Sequence, residues 1–469
     1  MSSLFGTLAI ATGALGAEQG AMDATTNNVA NVNTPDYCRQ QPVLSENDAI
    51  QVAGLSYGTG VSLQQLQSIR DPVLQLRIEE ETQQQGQLNA YLTAMQQAQT
   101  QFTTSSSDIG TEINNFFSSL SQLATDPTNL SLRQGVLTAA GDMTQAFNNA
   151  ADNLQQQQSN LDLSVVQDVQ QVNVLTGQIA TLNNQISQLQ GTNQDASSLL
   201  DQRDVLIGQL SGLIDVSTIP EDNSVALTTS SGTPLVVGGQ SFALSTQVNS
   251  AGLHDIYSQS TDITSELTSG AMAGLIQARD QTIPGLESNL DTLAAGLSNS
   301  LNAANTGGYD QNGDPYGGFD LNGNPGGNLF VAPPASGQGA AAAMTIAITD
   351  PRLIAASSDP NSPGSNGNVA NLSAVQSDTV INGQTPSNFY SNIVFDVGND
   401  VSNSSAELSA SQAILNQLQD QRSSISGVSL NEEAANMVQF QNAFDAAAQV
   451  VTTINDLLYT VINMGTLTG

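Results

Sequence analysis

The stretch NNVANVNTPDYCRQ, residues 27–40, decides the fold prediction because it marks where an N-terminal helix must end. Asparagine side chains compete with the backbone for hydrogen bonds, so an Asn-rich run favours a helix end and specific polar turns. The proline then fixes the direction in which the chain leaves, since the residue before it is pushed out of the α region. Each of these positions could also be an ordinary loop residue. The predicted interface or hinge set is Asn27, Asn28, Asn31, Asn33, Thr34, Pro35, Tyr37, Arg39 and Gln40.

The segment before this turn has the heptad spacing of a helix that docks on other helices. Glu18 and Thr25 interrupt the pattern, and four glycines weaken the helix in isolation. We therefore expect it to become ordered only when it is packed. The predicted N-terminal assembly residues are Leu4, Leu8, Ala11, Leu15, Met22 and Val29.

The last helical segment, 430–464, carries the strongest periodic signal in the chain. Ser429 and Glu432 have the spacing of a capping box at its start. Its apolar stripe is wider than a two-stranded seam needs, which favours contact with more than one neighbour. The predicted C-terminal assembly residues are Leu430, Met437, Phe440, Phe444, Val451, Ile454, Leu458 and Val461.

Between these ends the pattern predicts a mainly α chain with a small β domain and long coiled-coil-like helices. Helices are predicted at 72–104, 109–125, 130–191, 197–213, 284–304 and 388–424, and a heptad seam in the longest is broken by Asp168. Residues 41–70 look extended, and β-branched runs with turn signals predict a small outer β domain at 215–268. The predicted organisation is discontinuous: 1–45 with 426–469 as a terminal assembly domain, and 46–214 with 269–425 as a helical-bundle middle domain containing loop-rich 305–370.

Composition excludes several classes of function. Lysine is absent, and 8 basic against 42 acidic residues leave a net charge of −34, which disfavours nucleic acid and membrane surfaces as partners. The chain has one Cys and one His, so it offers few of the usual residues for a catalytic triad, a His-metal site or a Cys–His pair. The sequence thus predicts no enzyme, no catalytic residues, no metal and no cofactor, with a carboxylate-only hydrolase as a distant alternative.

Two local features allow more than one interpretation. The repeat DQNGDPYGG and DLNGNPGG, within 310–327, places Asp and Asn oxygens among glycines as calcium loops do, but its spacing does not fit an EF-hand. A plain Asn-Gly turn repeat is the favoured interpretation. The single thiol, Cys38, is expected to be a packed small residue rather than a reactive one.

Periodicity leaves open what the two terminal helices do. They could pair within one chain and close the fold, as in a soluble coiled-coil adaptor. Alternatively, they could pair and use the remaining apolar width to assemble with copies or relatives, building a tube.

The residues then point to a family. NNVANVNTPDYCRQ and the C-terminal SGVSLNEEAANMVQFQNAFDAAAQVVTTINDLLYTVINMG resemble the two terminal signatures of the bacterial axial flagellar proteins, which comprise rod, hook and hook-associated proteins. The central segments SSLLDQRDVLIGQLSGL and ITDPRLIAASSD resemble the hook-associated members, in the same order along the chain. A hook or distal-rod subunit, which shares the terminal signatures, is the nearest alternative.

The resemblance implies a structural, non-enzymatic subunit in a ring between hook and filament. It implies as partners copies of the chain, the hook protein, a second hook–filament junction protein, the flagellar export apparatus and an export chaperone. It also implies an extracellular location in the flagellum, reached through the flagellar type III route without a cleaved signal peptide. The N-terminus, which lacks a basic segment before its apolar residues, agrees with that expectation.

Overall fold

A computed structural model describes residues 2–34, 36–52, 55–103, 108–192, 194–221 and 223–466. Long helices dominate it, and the predicted mainly α class with a small β region is confirmed. The α-helices are α1 (Ser2–Ala30), α2 (Pro72–Thr103), α3 (Ile109–Leu123), α4 (Leu130–Gly191), α5 (Ser197–Leu213), α6 (Gly270–Gln277), α7 (Ile283–Asn305), α8 (Gly367–Ala374), α9 (Pro386–Ser426) and α10 (Leu430–Thr466).

The strands form small antiparallel sheets. Strand β1 pairs with β4, β2 with β3, and β12 with β13, while β5–β8 and β9–β11 form a four-stranded and a three-stranded sheet in the predicted β region. The strands are β1 (Gln40–Glu46), β2 (Ile50–Val52), β3 (Leu55–Tyr57), β4 (Val61–Ser68), β5 (Ser217–Pro220), β6 (Val225–Thr228), β7 (Pro234–Val237), β8 (Gln240–Ser241), β9 (Leu244–Val248), β10 (His254–Ser258), β11 (Thr261–Asp262), β12 (Gly307–Tyr309) and β13 (Pro315–Gly317).

Helix α4 contributes to two separate hydrophobic cores. Its first half, including Phe147 and Leu154, packs with α3, α7, α8 and the start of α9. Its second half, including Val172 and Ile179, packs with α5 and the β region. The heptad seam was therefore predicted on the correct face, but that face meets sheets and a short helix rather than a second long helix.

The link into α7 was not predicted. Residues 270–282 form α6 and a π-helical turn, Ala278–Thr282, that places Arg279 in full burial. The Arg279 guanidinium donates to Asp162 at 2.7 Å, to the His254 carbonyl at 2.7 Å and to Asp280 at 2.6 Å. Because a buried guanidinium needs several acceptors, this cluster fixes α4 to the β region and to α7.

Helices α2 and α9 run antiparallel and connect the chain ends to the helical core. Toward the end of the helix pair that is nearer the chain termini, Ser411 of α9 donates to Glu81 of α2. Toward the opposite end of the pair, Tyr390 of α9 donates to the Phe102 carbonyl of α2 at 3.3 Å. Helix α1 packs against α10 and against the β1–β4 pair, so both chain ends meet at one end of the molecule.

Candidate assembly interface

Helix α1 presents mainly small residues to its intramolecular neighbours. Ala17, Ala21 and Ala24 are each no more than 1% exposed. At Gly20 an added Cβ would lie 2.4 Å from the side chain of Leu63 on β4, so this glycine permits a close approach of helix and strand. Small residues let backbones approach closely, but they bury little apolar area, so the pairing leaves larger side chains available.

The predicted N-terminal assembly residues lie beside this small-residue face. Ala11 is buried, Leu4, Leu8, Leu15 and Met22 are half-buried, and Val29 is 36% exposed. In α10, Ile454 is buried, Met437, Phe440, Phe444, Val451 and Leu458 are half-buried, and Leu430 and Val461 are exposed.

Helix α10 keeps a stripe of large apolar side chains in solvent after it has paired with α1. Val450, Leu457 and Val461 share one face, because they are spaced i, i+7 and i+11, and they are 43%, 49% and 42% exposed. Exposed apolar side chains in such a row are typical of a protein–protein contact. We call Val450, Leu457 and Val461 the α10 stripe.

Asn28 organises the polar turn. It is 1% exposed, and its side-chain oxygen accepts from the Gln40 amide at 2.9 Å and from the Tyr37 hydroxyl at 2.9 Å. Its side-chain nitrogen donates to the Gln40 carbonyl at 2.8 Å and to the Glu433 carboxylate at 3.1 Å. One amide therefore uses its full hydrogen-bonding capacity to close the turn and to join α1 to α10.

The other predicted turn residues divide into local and solvent-facing groups. Asn27 donates to the Gln40 side chain at 3.3 Å, Asn31 donates to Asn27 at 2.9 Å, and Thr34 donates to Asn31 at 3.1 Å. Asn33 is exposed. Pro35 lies outside the described residues.

Arg39 forms ion pairs with carboxylates from the opposite end of the chain. Its guanidinium lies 2.6 Å from Glu432 and 3.8 Å from the buried Glu433. Glu432 thus reaches across to Arg39, whereas the sequence placed it in a capping box with Ser429. Tyr37 is half-buried, and this burial, with nearby carboxylates, raises the pKa of its hydroxyl to about 12. The hydroxyl therefore stays a hydrogen-bond donor at any physiological pH.

A second set of ion pairs fixes the turn to the rest of the molecule, and sequence reasoning missed it. Arg422 of α9 pairs with Asp36, while Arg70, just after β4, pairs with Asp201 and Asp204 of α5. The two aspartates belong to the segment LLDQRD, which had been noted only as a family resemblance. The two acids of that segment, spaced i and i+3 on one helix face, were the available signal.

Cys38 is half-buried beside this cluster. Burial, in spite of the Arg70 charge, raises the pKa of its thiol to about 12, and the Asp201 carboxylate adds to the effect. A thiol that stays protonated is a poor nucleophile and a poor metal ligand. Within the described part of the chain, no three His, Cys, Asp or Glu side chains are grouped so that they could hold a metal ion.

The loop repeat is built from two equivalent turns. In each copy one carboxylate oxygen, of Asp310 or Asp320, accepts from two backbone amides at 2.8 Å. These bonds close an Asx-type turn in each copy, and they account for the Asn-Gly repeat as turn chemistry. Across the described ranges, no helix is long and apolar enough to cross a bilayer.

The segment ITDPRLIAASSD, which also carries the family resemblance, packs over a buried arginine side chain in the helical core. Arg133 of α4 is fully buried, and its guanidinium donates to the carbonyls of Pro127 at 2.6 Å and Ile354 at 2.7 Å. The backbone of this segment therefore takes the place of a carboxylate as the partner of the arginine.

Comparison with known proteins identifies the family. The helical-domain model of the flagellar hook-associated protein FlgK matches residues 95–330, about half of the chain. A model of the flagellar basal body rod protein matches residues 8–37, and a model of the FlgEFG rod protein C-terminus matches residues 419–464. The two terminal matches cover the helices and turn that form the candidate interface.

Curated relatives align along nearly the whole chain. Flagellar hook-associated protein 1 of Bacillus subtilis is 28% identical, with 99% of each chain covered. The protein of that name from Escherichia coli is 25% identical, over 96% of this chain and 98% of its own. The structure of the flagellar hook junction protein FlgK from Burkholderia pseudomallei matches the fold with a TM-score of 0.65 at 19% identity, covering 75% of this chain and 100% of that one. The resemblance to axial flagellar proteins is thus confirmed, and this chain belongs to the FlgK family of hook-associated proteins, the structural, non-enzymatic proteins of the flagellar hook–filament junction.

Proposed function

We propose that the chain forms a ring at the distal end of the hook by assembling through its paired terminal helices. The observation that carries this proposal is the α10 stripe, which remains exposed after α1 and α10 have packed together. Burying the exposed part of three Val- or Leu-sized side chains, each 42–49% exposed, contributes on the order of 3 kcal/mol per copy before entropy costs. The half-buried and exposed members of the predicted assembly residues on α1 and α10 supply the rest of this surface, whereas Ala11 and Ile454 are buried within the subunit.

The proposal assigns a different role to each part of the chain. Residues 1–45 and 426–469 form the assembly domain, 46–214 and 269–425 form the middle domain, and 215–268 form an outer β domain. The turn around Asn28 lies where the first two meet, since it bonds to α10 and, through Asp36, to α9. It would fix the angle at which the assembly domain leaves the middle domain.

The proposed neighbours are copies of this chain, the hook protein on one side and a second junction protein on the other. The proposed route is the flagellar type III export apparatus, assisted by an export chaperone, with no cleaved signal peptide. A small-residue helix such as α1, which buries little area, can be held unfolded for export at modest cost. The final location is then extracellular, in the flagellum.

A deletion strain tests the function. Electron microscopy should show hooks without filaments, and flagellin should accumulate in the medium, because export continues while the filament has no base. Missing hooks would instead make the chain a hook or distal-rod subunit. Normal filaments would favour the soluble coiled-coil adaptor.

Complementation of that strain tests the interface. The triple variant V450S/L457S/V461S should fail to restore filaments although the purified chain keeps its helical circular dichroism, since these side chains are exposed in the free subunit. The control is V248S, which alters a 63% exposed valine on β9. Filaments restored equally by both variants would exclude the α10 stripe as an assembly surface.

A further inference from the structure

The sequence contains four Asn-Gly dipeptides, at 312–313, 322–323, 366–367 and 382–383. Such a dipeptide is prone to spontaneous deamidation, because glycine has no side chain to hinder attack of its backbone nitrogen on the preceding asparagine side chain. In a folded protein the attack depends on how firmly the surrounding hydrogen bonds hold the two groups, since they must move to meet. The hydrogen bonds around the four dipeptides differ.

The first two dipeptides lie in the loop repeat and are held by it. The Gly313 N–H donates to the Asp310 carbonyl at 3.0 Å, and the Gly323 N–H donates to the Asp320 carbonyl at 3.1 Å. The side chains of the same two aspartates accept further backbone amides from each turn. Attack by either glycine nitrogen would have to break this set of bonds, so deamidation is slowed at both places.

The third dipeptide is held through both of its reacting groups. The Asn366 side-chain amide donates to the Ala124 carbonyl at 2.9 Å, and the Gly367 N–H donates to the Ser365 hydroxyl at 3.2 Å. The asparagine side chain is thereby directed toward the end of α3, away from the glycine that follows it.

The fourth dipeptide lies in an exposed two-residue turn. Asn382 and Gly383 have φ of 50° and 77°, as a type I′ turn requires, and Ile381 and Gln384 exchange backbone hydrogen bonds of 3.1 and 2.9 Å across it. Within the described part of the chain, neither the Asn382 side chain nor the Gly383 N–H is hydrogen-bonded. A Cβ at Gly383 would meet nothing within 4 Å. Rotation of the turn therefore has only the two flanking bonds to break.

We propose that Asn382 is a site of spontaneous deamidation. The Gly383 nitrogen attacks Cγ of Asn382, so a carbon–nitrogen bond forms while the bond from Cγ to the side-chain nitrogen breaks. That nitrogen leaves as ammonia and takes up the Gly383 amide proton, which leaves a succinimide ring. Solvent water then opens either carbon–nitrogen bond of the ring to the Gly383 nitrogen, and the product is isoaspartate or aspartate. Water is the only co-reactant.

The isoaspartate product changes the path of the backbone. It routes the chain through Cβ and adds one methylene to a two-residue turn, so the two bonds between Ile381 and Gln384 cannot both persist. Ile381 is 2% exposed and packs on α7, where a Cβ at Gly296 would lie 2.7 Å from Ile381 Cγ1. Helix α9 begins at Pro386, directly after the turn. Modification of Asn382 therefore loosens the start of α9 from α7.

The experiment incubates the purified full chain at neutral pH, once folded and once in denaturant, and then digests it with a protease that cuts before aspartate. Mass spectrometry follows the replacement of an amide by a carboxylate. In denaturant the four dipeptides should react at similar rates, whereas in the folded chain 382–383 should react about tenfold faster than the other three. The digestion separates the dipeptides into the peptides 310–313, 320–349, 359–377 and 378–395.

The two products are distinguished in the same digest. Aspartate at position 382 creates a new cut before that residue, whereas isoaspartate leaves the peptide 378–395 whole but heavier. A folded chain in which 378–395 is as well protected as the other three peptides, or in which another peptide reacts first, overturns the inference.

The control variant is N382Q, whose longer side chain closes the corresponding ring far more slowly. It should melt as the unmodified chain does, because residue 382 is exposed. After the same incubation, hydrogen exchange at the start of α9 should be faster in the unmodified chain but not in N382Q. An equal change in both chains would show that deamidation does not loosen α9. The proposed hook–filament function does not depend on any of these outcomes.

Discussion

Among the four asparagines of the turn, burial separates one from the rest. Asn28 is enclosed and bonds to both halves of the interface, whereas Asn33 faces solvent. The sequence predicted all four as one set, and nothing in the local pattern distinguishes them. The distinction depends on Gln40 returning to the helix end and on Glu433 arriving from the other end of the chain.

Replacing Asn28 therefore tests the turn. Asn28→Ala should weaken the α1–α10 pairing by roughly 2–3 kcal/mol, because it leaves buried partners such as Glu433 and the Gln40 amide unsatisfied. Hydrogen exchange of α1 and α10 amides measures this directly, since it reports local opening. Asn33→Ala is the matched control and should leave exchange unchanged. Equal effects of the two substitutions would mean that Asn28 has no special role.

Asp168 gives a pH-dependent prediction. It interrupts the heptad seam of α4, and burial raises the pKa of its carboxyl to about 6 from an ordinary 3.8. At low pH the carboxyl is neutral, and its burial does not reduce the free energy of unfolding. As the pH rises through about 6 the carboxyl ionises, and that part of the stability is lost. Asp168→Asn should stabilise the folded chain at pH 7.5 by about 1–2 kcal/mol, after discounting for partial exposure. By pH 5 the gain should fall by about half.

Melting followed by circular dichroism at pH 7.5 and pH 5 measures the effect of Asp168→Asn. The control is Asp152→Asn, on the exposed side of the same helix, which should change the melting temperature little at either pH. A gain that is the same at both pH values would show that Asp168 is not a titrating group in this range.

For the helices, periodicity and caps predicted the long elements well. The bounds of α4 and α5 agree with the prediction because α4 starts at a true cap, where the Asn129 side chain accepts from Ser131 at 2.9 Å, and both helices are long enough to show a face. Helix α6 was missed because it is short and apolar on several sides. The sequence also could not predict which element packs on the apolar face of each helix. A heptad pattern shows that a face is covered but does not show whether a helix or a sheet covers it.

Helix α6 crosses α2 so closely that a glycine is required there. A Cβ at Gly274 would lie 2.3 Å from the Gln87 carbonyl and 3.0 Å from the Tyr91 amide. Because both neighbours are backbone of α2, Gly274→Ala should destabilise the chain by about 1–3 kcal/mol through overpacking. Gly177→Ala in α4, with nothing within 4 Å, should instead stabilise it by up to about 1 kcal/mol. Melting temperatures of the two variants should therefore move in opposite directions.

Across the whole molecule, stability should be uneven. The helical core buries Phe116, Phe117 and Phe147 almost completely, whereas α1 buries mostly alanines and, among the described side chains of α10, Ile454 is the buried apolar one. We expect α1 and α10 to exchange their amide protons well before α3, α4 and α7 do in the free chain. Hydrogen exchange with mass spectrometry measures this. Terminal helices as protected as α4 would favour the soluble adaptor over a subunit that becomes ordered on assembly.

The shared helix α4 also has a mechanical consequence. Its 62 residues make a rod about 93 Å long, anchored in the helical core at one end and in the β region at the other. A load applied to the β region passes directly into the helical core, because the hydrogen-bonded backbone of α4 runs through both. The two cores therefore tilt as one stiff lever. We therefore expect bending between subunits to occur outside this rod, and the turn, where Asn28, Arg39 and Arg422 are cross-linked, to pass the load from the chain ends to the rod.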